Sequence, residues 1–403
     1  MVRKGWNDMK LSIKFLALLL ALALALAGCA GPGASSTPPA SPSAPGPEPA
    51  SQTAPEPEPE PEPDRAVLVA AGDNLIHDVI YRQAQARSAD GGFDFAPAYR
   101  HIAPIVAGAD FAFINQETLL AGDALPLSSY PCFCSPTQLG DHLISLGFNL
   151  FSTANNHSLD KGLPGIQASG EYWSRQEGVA VDGCYRDEAE REAIPTLTKN
   201  GITVALVAAT DHTNGIPRPD GEAGVPYIDQ EEGDWEALTQ RIQRAGELAD
   251  FVIVSLHWGI EGSGEYTGAQ REMAQTLADL GADLIIGNHP HVLQGGEFLE
   301  TDRGRCYVAY ALGNFISAQR GANNMAGGFL RMELVKEPGE RVRMENLEFL
   351  PTVTHYGPGF EEVTIYPLDQ YGPELAESHG VRQYFPGFGL EYLEDQLSRL
   401  SWQ

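Results

Sequence analysis

The residues able to do chemistry in this sequence are carboxylates, amides and imidazoles that follow short apolar runs. The stretch "TANNHSLDKG", residues 153–162, places two asparagines, His157 and Asp160 within one turn. Further along, "GNHPH" gives His289 and His291 two positions apart, and the proline between them predicts a stiff, extended backbone that aims both rings at one centre. Taken alone, the first stretch is equally typical of a turn that caps a helix.

The same residue types end the other apolar runs. The candidate metal ligands are Asp73, Glu117, Asn156, His257, His289 and His291, and Asn115 ends the same run that leads to Glu117. Each of them taken singly is more typical of a turn or of a packed polar residue. Together they form the ligand set of divalent ions such as Mn²⁺, Fe²⁺ or Zn²⁺. The conjunction predicts a centre for one or two such ions, whose charge would offset that of an acidic pocket.

The elements that carry these residues alternate between strand and helix patterns. "RAVLVAAGD" and "FVIVSLHWG" are typical of buried strands, whereas "DWEALTQRIQRAGELA" has apolar residues at the three- and four-residue spacing of an amphipathic helix. This alternation predicts an α/β layered fold. Ligands in such folds collect beyond the carboxyl ends of the strands, which is where the candidate residues stand.

Six of these motifs resemble one known family. "AAGDNLI", "FINQETLL", "TANNHSLDKG", "VSLHWGIE", "GADLIIGNHPHVLQGGE" and "YALGNFI" are similar, in this order, to the capsule-synthesis CapA family, also called poly-γ-glutamate biosynthesis CapA proteins. That family belongs to the calcineurin-like metallophosphatase superfamily. The resemblance covers about residues 66 to 320 and implies an α/β fold, specifically a four-layer α/β/β/α metallophosphatase-like sandwich with its site on the strand-end loops.

The resemblance also implies roles for the site residues. Asp73 would be a metal ligand, Glu117 a carboxylate shared by two ions, and Asn156 a ligand of the second ion through its amide oxygen. His257, His289 and His291 would complete the two ligand sets. His157 would face the leaving group as a catalytic residue, held by its neighbour Asp160. Leu75 stands where many superfamily phosphatases have a histidine, so a single-ion site is the alternative.

Three functions are compatible with these residues. The first is a metal-dependent phosphoester hydrolase, and the second uses the same ions on an amide bond of a γ-glutamyl polymer. The third is a non-catalytic assembly or export factor of the capsule polymer machinery, with metal as a structural staple. Neither a Gly-x-Ser-x-Gly motif nor a Cys–His signature supports a competing nucleophile.

The start of the chain predicts export and a lipid anchor. Residues 1–29 are typical of a lipoprotein signal peptide, with an apolar core too short for a membrane span and "LAGC" resembling a lipobox that ends at Cys29. Residues 30–64 are rich in proline and glutamate and predict a disordered linker. We expect a CapA-type domain over 65–360, a C-terminal extension over 361–403 packed on it, and a location at the extracytoplasmic face of the cell membrane.

The net charge of the chain limits the classes of molecule that it can bind, and its cysteines leave the presence of disulfides open. The formal net charge is −28, which disfavours nucleic acid and would repel an anionic capsule or wall polymer except where cations intervene. Besides Cys29 the chain has Cys132, Cys134, Cys184 and Cys306. An even number in an exported protein permits disulfides, but four free thiols are equally compatible with the sequence.

Overall fold

The structure, a computed structural model, describes residues 62–228 and 234–402. The predicted signal segment 1–29 with its lipidated Cys29, and nearly all of the predicted linker 30–64, lie outside the described residues. Within the described ranges, no helix is long and apolar enough to cross a membrane.

Strands and helices alternate through most of the described chain. The strands are β1 (Asp64–Asn74), β2 (Phe111–Asn115), β3 (Leu150–Ser152), β4 (Ala180–Asp182), β5 (Thr196–Lys199), β6 (Ile202–Thr210), β7 (Phe251–His257), β8 (Leu284–Asn288), β9 (Leu293–Thr301), β10 (Gly304–Leu312), β11 (Asn314–Ile316), β12 (Ala326–Lys336), β13 (Arg343–His355) and β14 (Thr364–Pro367). The helices are α1 (Asp78–Arg87), α2 (Ala96–Tyr99), α3 (Ala103–Ala107), α4 (Gln138–Leu146), α5 (Gly162–Trp173), α6 (Glu188–Glu192), α7 (Asp234–Leu248), α8 (Gly268–Leu280), α9 (Pro373–Ser378) and α10 (Leu390–Ser398). Short 3-10 turns cover Ala322–Met325, Pro358–Phe360, Leu368–Gln370 and Gly380–Gln383.

The described strands form two mixed sheets. The first has the order β14-β13-β12-β1-β2-β3-β4, with β11 also paired to β1, and the second has the order β5-β6-β7-β8-β10-β9. In the first sheet β1, β2, β3 and β4 run parallel, and in the second β6, β7, β8 and β10 do. The carboxyl ends of each parallel set therefore share one edge, where the polar strand tips accumulate.

Alternating side chains of the strands point to opposite faces of each sheet, so each sheet has a core on both faces, and the core between the sheets is shared. Leu68 and Phe113 of the first sheet face Ile253 and Ile286 of the second in one buried cluster between the sheets. The intervening residues, such as Val69, point to the opposite face and pack against α1, α4 and α5. The outer face of the second sheet packs against α7 and α8 in the same way. The predicted four-layer α/β/β/α sandwich is confirmed.

Local sequence signals set the bounds of α8, which covers the second sheet. Thr267 accepts the backbone N–H of Gln270, and the Gln270 side chain accepts the N–H of Thr267, so a capping box starts the helix. Gly281 ends it at a φ of 129°, a conformation that favours glycine. Leu277 lies on the buried face of this helix and belongs to the core that it shares with the second sheet.

The last part of the chain packs into the core of the first sheet. Tyr371, Ala376, Val381, Phe388 and Leu393 are all at most 2% exposed and belong to the same buried cluster as the helices that cover that sheet. These side chains come from α9, α10 and the irregular segments beside them, so the C-terminal residues contribute to the hydrophobic core of the sandwich.

Candidate metal centre

Asp73 is placed by a close approach of two backbone segments. It lies near the carboxyl end of β1, where it is paired with Asn314 of β11, and its N–H donates to the carbonyl of Gly313 at 3.0 Å. A Cβ on the preceding Gly72 would lie 2.0 Å from that carbonyl oxygen, so only glycine fits there. The tight contact fixes the end of β1 and sets the position of the Asp73 carboxylate.

Glu117 is placed by the residue before it. The Gln116 side chain accepts from Asn74 at 2.7 Å, and Asn74 accepts from the hydroxyl of Tyr99 at 2.8 Å. The Gln116 carbonyl accepts from Asn155 at 3.2 Å. These buried hydrogen bonds hold the turn after β2 in place, and the Glu117 side chain is itself fully buried.

The two imidazoles of "HPH" are positioned by an unusual backbone. The sequence predicts an extended chain here, and that prediction is wrong: β8 ends at Asn288, and His289 and His291 have φ values of 99° and 58°. Left-handed conformations cost a side-chain-bearing residue about 1–3 kcal/mol each and persist where the surrounding structure imposes them. This backbone turns both rings back toward the strand ends rather than along the strand.

Asp73, Glu117 and His291 form one group of potential ligands. One ligand atom from each lies within 4.8 Å of the others, and all three residues are buried. His291 Nδ1 lies 2.9 Å from Asp73 Oδ2, and its Nε2 lies 3.5 Å from Glu117 Oε1. The group joins the two sheets, because the carboxylates belong to the first and the imidazole follows a strand of the second.

His257 is the centre of a second group at the end of β7. Its Nε2 lies 3.0 Å from Asn156 Oδ1, 3.1 Å from His289 Nδ1 and 3.7 Å from Glu117 Oε1. The Glu117 oxygen is thus near both groups. The structure brings all six predicted metal ligands together at the shared edge of the sheets.

Burial controls the charges of these residues. Burial raises the pKa of Glu117 well above its usual value and lowers the pKa of His257 well below its own. Burial also lowers the pKa of His289 to about 4. Burial opposes a charge on His291, but the Glu117 carboxylate and the hydrogen bond to Asp73 outweigh it and raise the pKa of His291 to about 9. The Glu117–His291 pair therefore keeps a proton at neutral pH, which a cation would replace.

The unpaired oxygen atoms fit a cation. Both carboxylate oxygens of Glu117 and the Oδ1 atom of Asn115 are buried without a hydrogen-bond partner among the described residues. A buried acceptor left unpaired costs about 1–3 kcal/mol, and more when it is charged. Asn115 Nδ2 donates to Asp73 Oδ1 at 2.8 Å and lies 3.3 Å from His257 Nδ1, so this amide orients one member of each group. Oxygen and imidazole donors arranged in this way suit a borderline divalent ion.

His157 and Asp160 lie beside these groups as a hydrogen-bonded pair. Asp160 Oδ2 lies 2.8 Å from His157 Nδ1 and accepts the backbone N–H of Phe133 at 2.5 Å. An ionised carboxylate can only accept, so Nδ1 carries the ring proton and Nε2 is left for other partners. The Phe133 ring packs edge-on against His157 with centroids 4.7 Å apart, and the backbone N–H of His157 donates to Asn155 Oδ1 at 3.0 Å. The imidazole is thus held in one orientation.

Leu75 occupies the position where many superfamily phosphatases have a histidine, and the nearby His77 does not take over that role as a potential ligand. The His77 Nδ1 atom accepts the backbone N–H of Ala318 at 3.2 Å and also lies 3.2 Å from the Leu75 carbonyl. Its ring packs edge-on against Phe133 at 5.3 Å. His77 therefore supports the wall of the site through backbone and aromatic contacts.

Some site residues do not stand out in the sequence. Asn155 holds both Gln116 and His157, and its only signal is its place beside Asn156. The loop after β6 brings Asn214 to 3.3 Å from Asn156, and it packs the His212 ring edge-on against His289 at 5.0 Å. Polar residues in such a loop have no periodic pattern that would predict these contacts.

The four cysteines of the described chain are separate thiols. Cys132 and Cys184 are half-buried, and Cys134 and Cys306 are buried; all four are free. No sulfur atom belongs to either group of potential ligands at the strand ends, as far as the structure describes the chain.

Comparison with known proteins finds similarity to bacterial capsule synthesis proteins. Residues 67–319 match the family described as "Bacterial capsule synthesis protein PGA_cap". The chain is 32% identical over 178 residues to PGA biosynthesis protein CapA of Bacillus subtilis (strain 168), with 44% of each chain covered. It is 28% identical over 181 residues to Capsule biosynthesis protein CapA of Bacillus anthracis, with 43% of this chain and 41% of that one covered. The matches therefore span less than half the length of these relatives.

A solved structure of NAD nucleotidase (NadN) from Haemophilus influenzae is similar at 11% identity and a TM-score of 0.41. The match covers 84% of this chain and 61% of that one.

Proposed function

This chain belongs to the bacterial capsule synthesis protein family, as its motifs predicted, and from that premise we propose that it is a metal-dependent hydrolase of capsule or poly-γ-glutamate biosynthesis. The reaction is hydrolysis of a phosphoester or a related bond. One observation carries the proposal: Asp73, Glu117 and His291 converge in a buried group whose shared carboxylate has no hydrogen-bond partner among the described residues.

The residues at the strand ends would hold the ions. Asp73, Glu117 and His291 form one candidate ligand set. In the second set, His257 lies 3.7 Å from the same Glu117 oxygen, and Asn156 and His289 lie within 3.1 Å of His257 Nε2. Bound divalent ions lower the pKa of water toward 7 and neutralise charge on phosphoryl oxygens. The neutral imidazoles of His257 and His289 are already in the protonation state that a metal ligand requires.

His157 would handle the proton of the leaving group. Its Nδ1–H is committed to Asp160, so a proton for the departing oxygen would be carried on Nε2. Asp160 stabilises the ring cation that this transfer requires, and Phe133 restricts rotation of the ring. His157 is therefore the proposed catalytic residue, and Asp160 positions it.

The test is turnover by the purified chain in the presence of Mn²⁺. Wild-type protein should hydrolyse an aryl phosphodiester, and His257→Ala and Glu117→Gln should lose activity because they remove donors from the ligand groups. His101→Ala is the matched control, since His101 stacks on Tyr366 and has no contact with the ligand groups. Stoichiometric Mn²⁺ binding without turnover of phosphoesters or γ-glutamyl amides would exclude the hydrolase.

The burial of the candidate ligands favours one alternative function, that of a non-catalytic assembly or export factor. Asp73, Glu117, His257 and His291 are at most 2% exposed, whereas His157 and Asp160 are 6% and 8% exposed. Ions so enclosed could serve as a structural staple in an assembly or export factor of the polymer machinery. Under that alternative, removal of the metal would unfold the protein and abolish polymer export, while His157→Ala would leave export unchanged.

We also propose that the protein is anchored to the extracytoplasmic face of the membrane through Cys29. The proposal is supported by the lipobox-like Leu26–Cys29 and by the apolar segment before it. Expression in a bacterial host with an alkyne-labelled fatty acid should label the wild-type chain and leave Cys29→Ala unlabelled. Recovery of both forms from the soluble fraction would exclude the anchor.

A further inference from the structure

The loop that follows β11 forms one wall of the metal centre. The Ile316 carbonyl accepts the N–H of Leu75 at 3.0 Å, and the N–H of Ala318 donates to His77 at 3.2 Å. At the far end of the loop, the Asn324 side chain donates to the His291 carbonyl at 3.0 Å. The segment between Ala318 and Asn324 is thus tied to the site at both ends.

Arg320 projects from this loop between two aromatic rings. Its backbone is within about 7 Å of the Ala318 backbone, because two extended residues span no more than that. The guanidinium carbon lies 5.6 Å from the centroid of the Phe360 ring and 5.3 Å from that of Tyr384. Both distances lie within the range of cation–π attraction. The two rings hold the side chain over this part of the surface.

The hydrogen-bonding edge of Arg320 is available. The residue is exposed, and among the described residues no carboxylate lies within ion-pair distance of its guanidinium. By contrast, Arg271 pairs with Glu297 at 3.0 Å and Arg331 pairs with Glu348 at 3.2 Å. Aromatic rings occupy the faces of a guanidinium and leave its N–H groups free to bind a planar anion with two hydrogen bonds.

The Phe360 ring is held in place by a strained backbone. Phe360 has a φ of 64°, a genuine outlier for a bulky residue. The Gln83 side chain spans this turn, donating to the Phe360 carbonyl at 2.5 Å and accepting the N–H of Val363 at 3.1 Å. Gln83 thereby stabilises the conformation that places the ring beside Arg320.

We propose that Arg320, Phe360 and Tyr384 form an anion-binding subsite beside the metal centre, which binds a carboxylate of the substrate polymer away from the reacting bond. The inference rests on the proposed function, because it assigns the substrate as an extended polyanion such as a γ-linked glutamate chain. A net charge of −28 repels such a chain, so its capture requires a local cation with no acidic partner. Arg320 supplies that cation on the loop whose ends contact His77 and the His291 carbonyl.

Binding of a labelled γ-linked glutamate oligomer to the full chain, followed by fluorescence anisotropy, tests the subsite. Arg320→Ala should weaken binding by about tenfold or more, the loss expected for a charge-assisted bidentate contact. Arg320→Lys should recover part of the affinity, because a point charge replaces the planar fork. A linear polyphosphate serves as the second probe, because a guanidinium also binds phosphoryl oxygens.

Arg305→Ala is the matched control. Its guanidinium carbon lies 4.3 Å from the Phe298 ring near the start of β10, at the edge opposite to the metal centre. Equal affinity of wild type and Arg320→Ala, or an equal loss in both alanine variants, overturns the subsite. Arg320-dependent binding of polyphosphate alone overturns the assignment to carboxylate. Because the measurement needs no turnover, a protein that binds through Arg320 but hydrolyses nothing contradicts only the proposed function.

Discussion

Asp160 Oδ2 accepts two hydrogen bonds, from His157 Nδ1 at 2.8 Å and from the Phe133 backbone at 2.5 Å. Those two donors fill one oxygen and determine which ring nitrogen of His157 holds its proton. Removing the negative charge of Asp160 without changing its shape should therefore alter the chemistry of His157 while leaving the fold intact.

Asp160→Asn should lower kcat selectively for poor leaving groups. Both donors contact one oxygen, so the amide oxygen of the variant can accept from the Phe133 N–H and from His157 Nδ1–H, which keeps the tautomer but removes the negative charge that supports a ring cation. We expect a loss of about 100-fold or more on an alkyl phosphoester, within the usual range for general acid catalysis. A p-nitrophenyl ester should lose far less, since its leaving group needs no proton.

Asp141→Asn is the control for that substitution. Asp141 is an exposed carboxylate outside the site, and it accepts from the Tyr172 hydroxyl at 3.0 Å. It should leave the rates on both esters unchanged. Equal losses on the alkyl and aryl esters in Asp160→Asn would assign Asp160 a structural role only.

Glu117→Gln should stabilise the metal-free protein and abolish stabilisation by metal. The buried carboxylate oxygens lack hydrogen-bond partners in the described chain, and burial raises the pKa of the group, so its charge is unfavourable without a cation. We expect the free energy of unfolding without metal to rise by about 1–3 kcal/mol. Thermal unfolding with a chelator and with Mn²⁺ measures both effects. A metal-dependent rise in Tm that survives in the variant would contradict the assignment.

Arg241→Ala should destabilise the protein strongly. Arg241 of α7 donates to Asp182 of β4 at 2.6 Å, with both side chains at most 7% exposed, and Asp182 also accepts the N–H of Ala208 in β6. Removing the guanidinium leaves a buried carboxylate unpaired, which costs about 3–5 kcal/mol.

Urea unfolding measures that cost against an exposed pair on the same helix. Arg244 pairs with Glu192 at 2.9 Å, and both side chains are about half exposed. Arg244→Ala should cost less than about 1 kcal/mol. Similar losses in the two variants would mean that the buried pair is no more important than the surface one.

His379 should make stability fall in acid. Its Nε2 donates to the Thr354 carbonyl and its Nδ1 accepts the N–H of Val381, both at 3.0 Å, so the ring fits only in its neutral form. Burial lowers the pKa of His379 from 6.5 to about 3, so the unfolded chain binds more protons below pH 6.5. The stabilisation is present above pH 6.5 and is lost as the pH falls toward 3.

Urea unfolding of wild type and His379→Gln at several pH values isolates this contribution. The substituted amide can donate to Thr354 but does not titrate. Carboxylates protonate equally in both proteins, so the variant should show a shallower loss of stability between pH 6.5 and 4. Parallel curves would show that His379 is not responsible.

The sequence predicted an α/β layered fold and its strand ends because both depend on local patterns, whereas the four-layer arrangement was implied by the family resemblance. The apolar run of β7 and the amphipathic spacing of α7 are visible in single windows, and parallel strands bring their carboxyl ends to one edge. The family motifs then identified residues such as Asp73 and His257 at those ends. The convergence of the six candidate ligands follows from these two facts.

Contacts between segments that are far apart in sequence could not be predicted from local patterns. β12 pairs antiparallel with β1 although Ala71 and Phe329 are far apart in sequence, and no turn signal links them. The left-handed backbone at His289 and His291 opposes the intrinsic preference of both residues, so only the packed environment can impose it. Arg320 likewise gains its aromatic neighbours from a segment of the chain that folds back onto the first sheet.

The potential ligands come from both halves of the sandwich: Asp73 and Glu117 lie at strand ends of the first sheet, and His257 and His291 lie at strand ends of the second. An ion held among them would cross-link the two sheets. Scarcity of that ion would then increase local unfolding between the sheets, in addition to any loss of activity. Proteases would shorten the lifetime of the protein, so the cellular abundance of the protein would depend on the metal supply.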